Sequence, residues 1–241
     1  MAVPHVLPVY SDFLSLISTE MASGHLTRAE ALACEGVRHA CHVMLYCDAQ
    51  ALLFGTISIR HIVLMQMRFD GLLGFPGGLV NPLEESLEAG LSRELMEEMG
   101  MAPPVSEEDH VASCYAPPSS SSSSTPPLIT HFYVKKVEEE QIRALEKAGP
   151  STAIDHGLEV LGVVRVPLYS MRDGGGLPSF LSNGFAGNAR AQLLDALTRF
   201  HLVAPDDLCQ ALATCTQIHA RTAAALGDAL ALAEDKQQHS S

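Results

Sequence analysis

Basic residues are scarce in this 241-residue chain. Only 15 lysines and arginines stand against 28 aspartates and glutamates, which gives a formal net charge of −13. A protein that binds DNA along a broad groove needs a basic surface, so the composition argues against DNA groove binding. One local basic pocket for a nucleotide or an RNA end remains compatible with it.

Long apolar runs and aromatic residues are also few. Tryptophan is absent and aromatics make up 5% of the chain, so a core drawn from its 47% hydrophobic residues must be mostly aliphatic. No apolar run approaches the roughly 18–20 residues that a membrane span needs. Asp12 and Glu20 interrupt the amino-terminal stretch. We therefore expect neither a membrane partner nor a signal peptide.

Cysteine patterns typical of metal or disulfide scaffolds are missing. The six cysteines form no C-x-x-C pair, and no histidine stands beside them at a zinc-ligand spacing. Reduced thiols in the cytosol or nucleus are the expectation.

The pattern of apolar runs and turn residues predicts a mixed α/β (α+β) fold without a regular βαβ repeat. Apolar runs bounded by turn residues predict strands at 39–47, 61–69, 110–116, 128–137 and 157–168. Helical patterns predict helices at 27–36, 84–99, 138–148 and 187–200, and one helix or a helix pair at 205–233.

Three regions follow from this pattern. Residues 1–26 are weakly patterned and predict a flexible leader, 27–200 form the main domain, and 201–241 form a helical carboxyl-terminal extension and tail. The low-complexity segment 117–127, PPSSSSSSTPP, predicts a loop at the tip of a hairpin. It is either a plain linker or a site of phosphorylation.

The most informative segment runs from Gly77 to Met101. A glycine pair leads into a helix that carries Glu94, Glu97 and Glu98 on one face. Like charges at this spacing repel by about 0.2–0.5 kcal/mol per pair, and a divalent cation would turn that repulsion into chelation. The alternative is a solvated glutamate face. An adjacent stripe of Leu87, Leu91, Leu95 and Met99 predicts that the helix packs on a core with its carboxylates at the edge.

This segment resembles the Nudix box, G-x5-E-x7-R-E-U-x-E-E-x-G-U with U apolar. The run from Arg93 to Met101 fits the second half at every fixed position. The first half carries one extra residue, so its glutamate is Glu84 counted from Gly78 and Glu85 counted back from Arg93.

The stretches GVRHACHVMLY, LMQMRFDGLLGFPGG, DHGLEVLGVVRVPLY and FLSNGF resemble a narrower branch. That branch contains a snoRNA-decapping, inosine-diphosphate-cleaving Nudix hydrolase and its non-catalytic paralogue syndesmos, a Tudor-interacting repair regulator. The resemblance implies a Nudix fold, a mixed β-sheet sandwiched between helices. It also implies Mg²⁺ or Mn²⁺ as cofactor, a nucleotide or capped RNA as substrate, a homodimer, and a place in the nucleus (nucleoplasm and nucleolus) and cytoplasm.

The resemblance also assigns metal and catalytic residues. Metal ligation would fall to Glu94, Glu97, Glu98, Glu159 and a backbone carbonyl at Gly77, and catalysis to Glu97, Glu98 and Glu159. Glu159 is the fourth ligand or general base, because a carboxylate in an apolar strand is costly unless it is paired. The alternative is an outward-facing strand glutamate. Arg93 lies four residues before Glu97 and is expected to orient it.

Four further residues match the branch's nucleotide contacts. Arg68 would meet phosphate, His42 and Phe75 would hold the base, and Gln192 would contact the base from the following helix. The alternatives are a surface arginine, a core histidine, a packed phenylalanine and a solvated glutamine.

Two functions stay open at this point. One is a metal-dependent phosphohydrolase, favoured by the intact Glu94, Glu97 and Glu98. The other is an RNA-binding regulator of a tandem-Tudor repair protein in the DNA damage response, favoured by the tail PDDLCQALATCTQ, which resembles the regulator's extension. The serine-rich loop differs from the regulator's and argues against Tudor binding.

Overall fold

The computed structural model describes residues 24–117 and 126–238, with side chains to residue 232. Its strands are β1 (His25–Leu26), β2 (Arg38–Leu53), β3 (Ile57–Arg68), β4 (Leu73–Gly74), β5 (Gly77–Val80), β6 (His110–Ala116), β7 (Leu128–Lys136) and β8 (Val160–Arg165). Its α-helices are α1 (Arg28–Ala33), α2 (Leu87–Met99), α3 (Glu139–Thr152), α4 (Leu177–Leu181), α5 (Ala189–Arg199) and α6 (Pro205–Gln238).

The strands form one mixed sheet in the order β1-β6-β7-β2-β3-β4, while β5 also pairs with β2 and β8 with β3. The pairing of β2 with β7 is parallel, and that of β6 with β7 is antiparallel, as predicted for a hairpin. None of the helices in the described ranges is long and apolar enough to cross a membrane.

Helices cover both faces of this sheet. On one face Leu87, Leu91, Leu95 and Met99 of α2 are at most 2% exposed and pack with Ile142 and Leu145 of α3. On the other face, α4, α5 and the first turns of α6 bury Leu181, Leu193 and Leu208. The predicted mixed sheet between helices is therefore confirmed, and so is the apolar stripe of the glutamate helix.

Several element bounds differ from the predictions. The strands β2 and β3 extend beyond the apolar runs to a tight hairpin turn at Phe54 and Gly55, both with positive φ (52° and 70°). Backbone twist at such a turn suits a two-residue hairpin, so the ladder continues where burial has ended. The helix α2 begins at Leu87 rather than near 84, because the N–H groups of Glu84 and Glu85 bond back to the Asn81 carbonyl. Ser86 then caps the helix by accepting from the Ala89 N–H.

The region boundaries stay predictions, although both ends show contacts with the domain. At the edge of the expected leader, His25 and Leu26 pair with Cys114 and Ser113 of β6. The expected extension is one helix, and its Leu208, Ala211 and Cys215 belong to the core. Residues 1–23 of the leader and 118–125 of the serine-rich loop lie outside the described residues.

Candidate active site

One cavity of about 560 Å³ opens between the polar edge of α2, strand β5 and the amino-terminal end of α5. All the residues that the sequence selected for metal, catalysis and substrate lie in its wall. They are His42, Arg68, Phe75, Gly77, Glu94, Glu97, Glu98, Glu159 and Gln192. Residues from seven different elements and loops therefore converge on one space.

The glycine pair allows the glutamate helix to approach the sheet closely. Gly77 has φ +125°, and a Cβ there would collide with the carbonyl of Cys41. A Cβ on Gly78 would overlap the carboxylate of Glu94. The positive φ and the backbone contact require glycine at Gly77, whereas the absence of a side chain at Gly78 leaves room for the Glu94 carboxylate.

Glu98 is the most deeply buried of the carboxylates. Its side chain is 6% exposed, and its Oε2 accepts a hydrogen bond of 2.8 Å from the Gly77 N–H. Burial raises the pKa of Glu98 to about 7, although the Gly77 hydrogen bond opposes the shift. Without a cation beside it, this carboxyl is poised between its protonated and ionised forms at neutral pH.

Glu94 and Glu97 are held by Arg93. The Arg93 Nη1 donates to Glu94 Oε1 at 2.7 Å and to Glu97 Oε2 at 3.4 Å. Its Nη2 donates to Glu85 Oε1 and to the Leu79 carbonyl, both at 3.0 Å. Burial raises the pKa of Glu94, and the charges of Glu97 and Glu159 add to the shift while Arg93 opposes it. Arg93 thus fixes the helix, the loop before it and strand β5 in one arrangement.

Glu159 lies in the cavity wall, but the prediction that it sits in an apolar strand was wrong. The N–H groups of Leu158, Glu159 and Val160 all point to the carbonyl of Asp155, which closes a turn before β8 begins. The side chain is exposed, so the argument from a costly buried carboxylate does not apply to it.

The substrate residues line the same cavity, and His42 pairs with Gly77, whose N–H bonds Glu98. Burial, together with the Arg68 charge, lowers the pKa of His42 to about 4, so the imidazole is neutral at pH 7. Gln192 is 6% exposed and Phe75 only 3%, with the Phe75 ring 5.0 Å from that of Phe132. Phe75 is therefore first a core residue, although it also contributes to the cavity wall.

Arg68 is less available to a phosphate than the sequence suggested, because it already has a partner. Its guanidinium bonds Asp70 at 3.2 Å, and its aliphatic stem would contact a Cβ at Gly74. Asp70 was not predicted from the sequence, and neither were three further residues of the cavity wall, Arg38, Thr130 and Asp155. Asp155 belongs to the DHGLEVLG motif, and this motif could have indicated that the residue lies at the site.

The carboxylates suit a hard divalent cation by their chemistry. Glu94, Glu97 and Glu98 offer only oxygen atoms, the donors that Mg²⁺ and Mn²⁺ take. Among the described residues, however, no three His, Cys, Asp or Glu side chains already surround a common point as metal ligands would. Arg93 occupies oxygens of two of these carboxylates, and it neutralises part of the repulsion that a cation would relieve.

A mixed sheet between helical layers, with a glycine turn against a glutamate helix, defines the class of the Nudix hydrolases, which act on pyrophosphate bonds. Comparison with known proteins bears this out. A family model described as "Nudt16-like: U8 snoRNA-decapping enzyme-like" matches residues 39–203. The chain therefore belongs to the Nudt16-like family of Nudix hydrolases, enzymes that generally work with divalent metal ions.

Curated relatives include both kinds of protein in this branch. The U8 snoRNA-decapping enzyme of Xenopus laevis is 46% identical over 78% of this chain and 87% of its own length. That of Bos taurus is 53% identical over 70% and 85%. The Tudor-interacting repair regulator protein of Homo sapiens is 43% identical over 80% and 88%.

Solved structures also show similarity. The NUDIX domain of Shewanella oneidensis NrtR, complexed with ADP ribose, covers 74% of this chain and 100% of that domain, with 21% sequence identity and a TM-score of 0.44.

Proposed function

We propose that this protein is a Nudix phosphohydrolase that cleaves the diphosphate of nucleotides such as (deoxy)inosine diphosphate and removes the cap from RNA such as snoRNA. The observation that carries the proposal is the cavity that gathers the four selected glutamates together with the selected base-binding residues. The decapping enzymes among the relatives, with up to 53% identity, support an RNA cap as a substrate.

The residues selected for base and phosphate bind and orient the substrate. The neutral imidazole of His42 has one donor and one acceptor nitrogen for the edge of a purine. The amide of Gln192 can do the same from α5, and the edge of Phe75 provides an apolar contact. Arg68 offers a guanidinium to a phosphate group, in competition with Asp70.

The carboxylates are the residues that would hold the cofactor. Glu94, Glu97, Glu98, Glu159 and the Gly77 carbonyl would hold Mg²⁺ or Mn²⁺, which when bound offsets the charge of the diphosphate and makes water more acidic. Gly77 fixes the Glu98 carboxylate through its N–H, and Arg93 fixes Glu94 and Glu97. Positioning and charge neutralisation account for most of the rate of phosphoryl transfer, and this arrangement provides both.

A second candidate function is an RNA-binding regulator of a tandem-Tudor repair protein. It is favoured by the 43% identity to the Tudor-interacting relatives, whose match spans 80% of this chain, and by the helix α6 in the extension. Glu94, Glu97 and Glu98 favour the enzyme, since a regulator has no need of three carboxylates beside a glycine turn.

Assembly and location are part of the proposal. We propose a homodimer that works in the nucleus, including nucleoplasm and nucleolus, and in the cytoplasm. The resemblance to this branch supports both statements, and sedimentation of the purified protein tests the first of them.

The experiment is a direct assay of purified protein with Mg²⁺ and, separately, with Mn²⁺. Phosphate release from inosine diphosphate and loss of the cap from a capped RNA are the expected results. A wild-type protein that leaves both substrates intact with both metals would overturn the enzyme proposal. A pull-down with tandem Tudor domains tests the second candidate, and an empty lane counts against it.

A further inference from the structure

Arg38 has no role in the function proposed so far, although it lines the same cavity as the glutamates. It stands at the first position of β2, where its side chain is exposed. Arg68 bonds Asp70, and Arg93 bonds three glutamates, so both of those cations are already engaged. Arg38 forms no ion pair with any described residue. It is therefore the arginine of this cavity whose charge is available to a ligand.

The register of the sheet gives the distance between Arg38 and the reacting end. Alternate residues of β2 face the cavity, so His42, Ala40 and Arg38 form a line along its floor. Gly77 and Gly78, against which Glu98 and Glu94 lie, pair with His42 and Cys41. At about 3.4 Å per residue, Arg38 lies about 10 Å beyond the level of these carboxylates, on the side away from His42.

The floor between these two points carries no charged side chain. Ala40 pairs with Thr130 of β7 on one side and with Leu79 of β5 on the other. Ala40 is small, and Leu79 is 52% exposed although it is a large apolar side chain. A flat apolar group can rest on this part of the floor without displacing a charged residue.

The cavity continues past Arg38. A second cavity of about 580 Å³ adjoins the first, and Arg38 and Leu79 belong to the walls of both. The joined space is therefore longer than one nucleotide bound at His42 and reaching the carboxylates would fill. The additional length begins where the free guanidinium lies.

We infer that the floor from Leu79 to Arg38 is a subsite for the second nucleoside of the substrate, on the far side of the pyrophosphate. Its base rests on Leu79, and Arg38 binds the phosphate that follows this nucleoside. The inference rests on the proposed function and sharpens it, because such a subsite serves an RNA 5′ end and leaves a nucleoside diphosphate unaffected. A guanidinium binds a phosphate with two parallel hydrogen bonds, which suits this role.

The test compares three substrates that differ in one feature each. Inosine diphosphate lacks a second nucleoside, a cap dinucleotide has one without a following phosphate, and a short capped oligoribonucleotide has both. Arg38→Ala should lower kcat/KM about tenfold for the capped oligoribonucleotide alone, mainly through KM, as expected for the loss of a charge-assisted hydrogen bond. Arg38→Lys should restore part of the loss.

Salt dependence separates a phosphate contact from a structural role. Loss of one phosphate contact reduces the slope of log affinity against log salt by about 0.7 for a single strand. Arg60→Ala is the matched control, because Arg60 is an exposed arginine of β3 outside both cavities. It should leave all three substrates and the salt slope unchanged. Equal losses on all three substrates, or no loss on any, would overturn the inference.

A binding measurement tests the subsite independently of catalysis. The affinity for the capped oligoribonucleotide is measured by fluorescence anisotropy with EDTA present, so that no cleavage is needed. Weaker binding and a smaller salt slope for Arg38→Ala support the subsite even if the proposed hydrolysis fails. Wild-type and variant proteins with the same affinity would rule it out.

Discussion

At the residue scale, Arg93 explains how the box tolerates one extra residue. The sequence allowed either Glu84 or Glu85 as its first glutamate. The Arg93 Nη2 donates to Glu85 at 3.0 Å, and this hydrogen bond is the main reason that the pKa of Glu85 is lowered. Glu85 is therefore the partner, and the insertion lies in the turn before it. The predicted contact with Glu97 exists but is the longest of the three.

Arg93→Ala should lower kcat/KM for inosine diphosphate by about 10–100-fold, because Glu94 and Glu97 lose the group that orients them. Steady-state kinetics at saturating Mg²⁺ measure the loss. Arg143→Ala is the control, since Arg143 also bonds a glutamate four residues away but lies on α3 outside the cavity. Equal activities of the two variants would show that Arg93 does not orient the site.

At the element scale, the sequence predicted most helices and strands, and the misses have physical reasons. Apolar periodicity located α2 and α5 because each of these helices is buried on one side. The strands predicted from apolar runs were shorter than β2 and β3, because both strands continue as an exposed hairpin held by backbone hydrogen bonds. The apolar residues around Glu159 predicted a strand there, because the sequence cannot show that three N–H groups converge on the Asp155 carbonyl. Arg38 was missed because strand register, which a single sequence does not give, brings it to the cavity.

Three strands are joined by a buried histidine network. His131 Nε2 lies 3.0 Å from His39 Nδ1, and its Nδ1 lies 2.8 Å from Ser113 Oγ, which in turn lies 3.0 Å from His110 Nε2. Burial, with the charges of His39 and His110, lowers the pKa of His131 to about 3. The network is therefore neutral in the folded protein at pH 7.

Replacing His131 with glutamine should flatten the pH dependence of stability. The unfolded chain binds a proton at His131 below about pH 6.5 and the folded chain does not, so this residue costs about 2 kcal/mol of stability between pH 7 and pH 5. Glu98 acts in the opposite direction, since its raised pKa lets the folded state bind more protons there. The free energy of unfolding is therefore measured by urea unfolding at several pH values, for wild type and His131→Gln. The two slopes of this free energy against pH are then compared.

The control is His219→Gln, at an exposed position of α6, which should keep the wild-type slope. A His131→Gln protein whose stability changes with pH in parallel with the wild type would contradict this account of the network.

The helix α6 divides into a packed part and an exposed part. Leu208, Ala211 and Cys215 are at most 8% exposed, whereas residues 219–232 are all exposed. Removal of residues 219–241 should change the free energy of unfolding by less than about 0.5 kcal/mol. Leu208→Ala should cost about 2–5 kcal/mol. Denaturant unfolding measures both, and a large loss on truncation would show that the exposed part packs against a partner.

At the scale of the whole molecule, most of the residues that form the core are separate from the residues that line the cavity. The apolar side of α2 holds the core, and its polar edge faces the cavity together with the sheet and α5. The chain is acidic overall, with a formal charge of −13, and its site must nevertheless accept a polyanion. A cation held by the carboxylates, together with Arg38 and Arg68, would offset this repulsion locally, since acidic residues outnumber arginines in the cavity wall.

Glu98→Gln is the direct test of diphosphate hydrolysis at the carboxylates of α2. The change keeps the shape of a side chain that is 6% exposed and removes its charge. Glu140→Gln, on an exposed glutamate of α3, removes the same charge outside the cavity.

The measurement is phosphate release from inosine diphosphate with Mg²⁺, for the wild type and both variants at equal concentration. The account predicts an active wild type, an equally active Glu140→Gln protein, a folded Glu98→Gln protein whose kcat falls at least about 100-fold, and loss of wild-type activity in EDTA. A Glu98→Gln protein that releases phosphate at the wild-type rate would contradict the account.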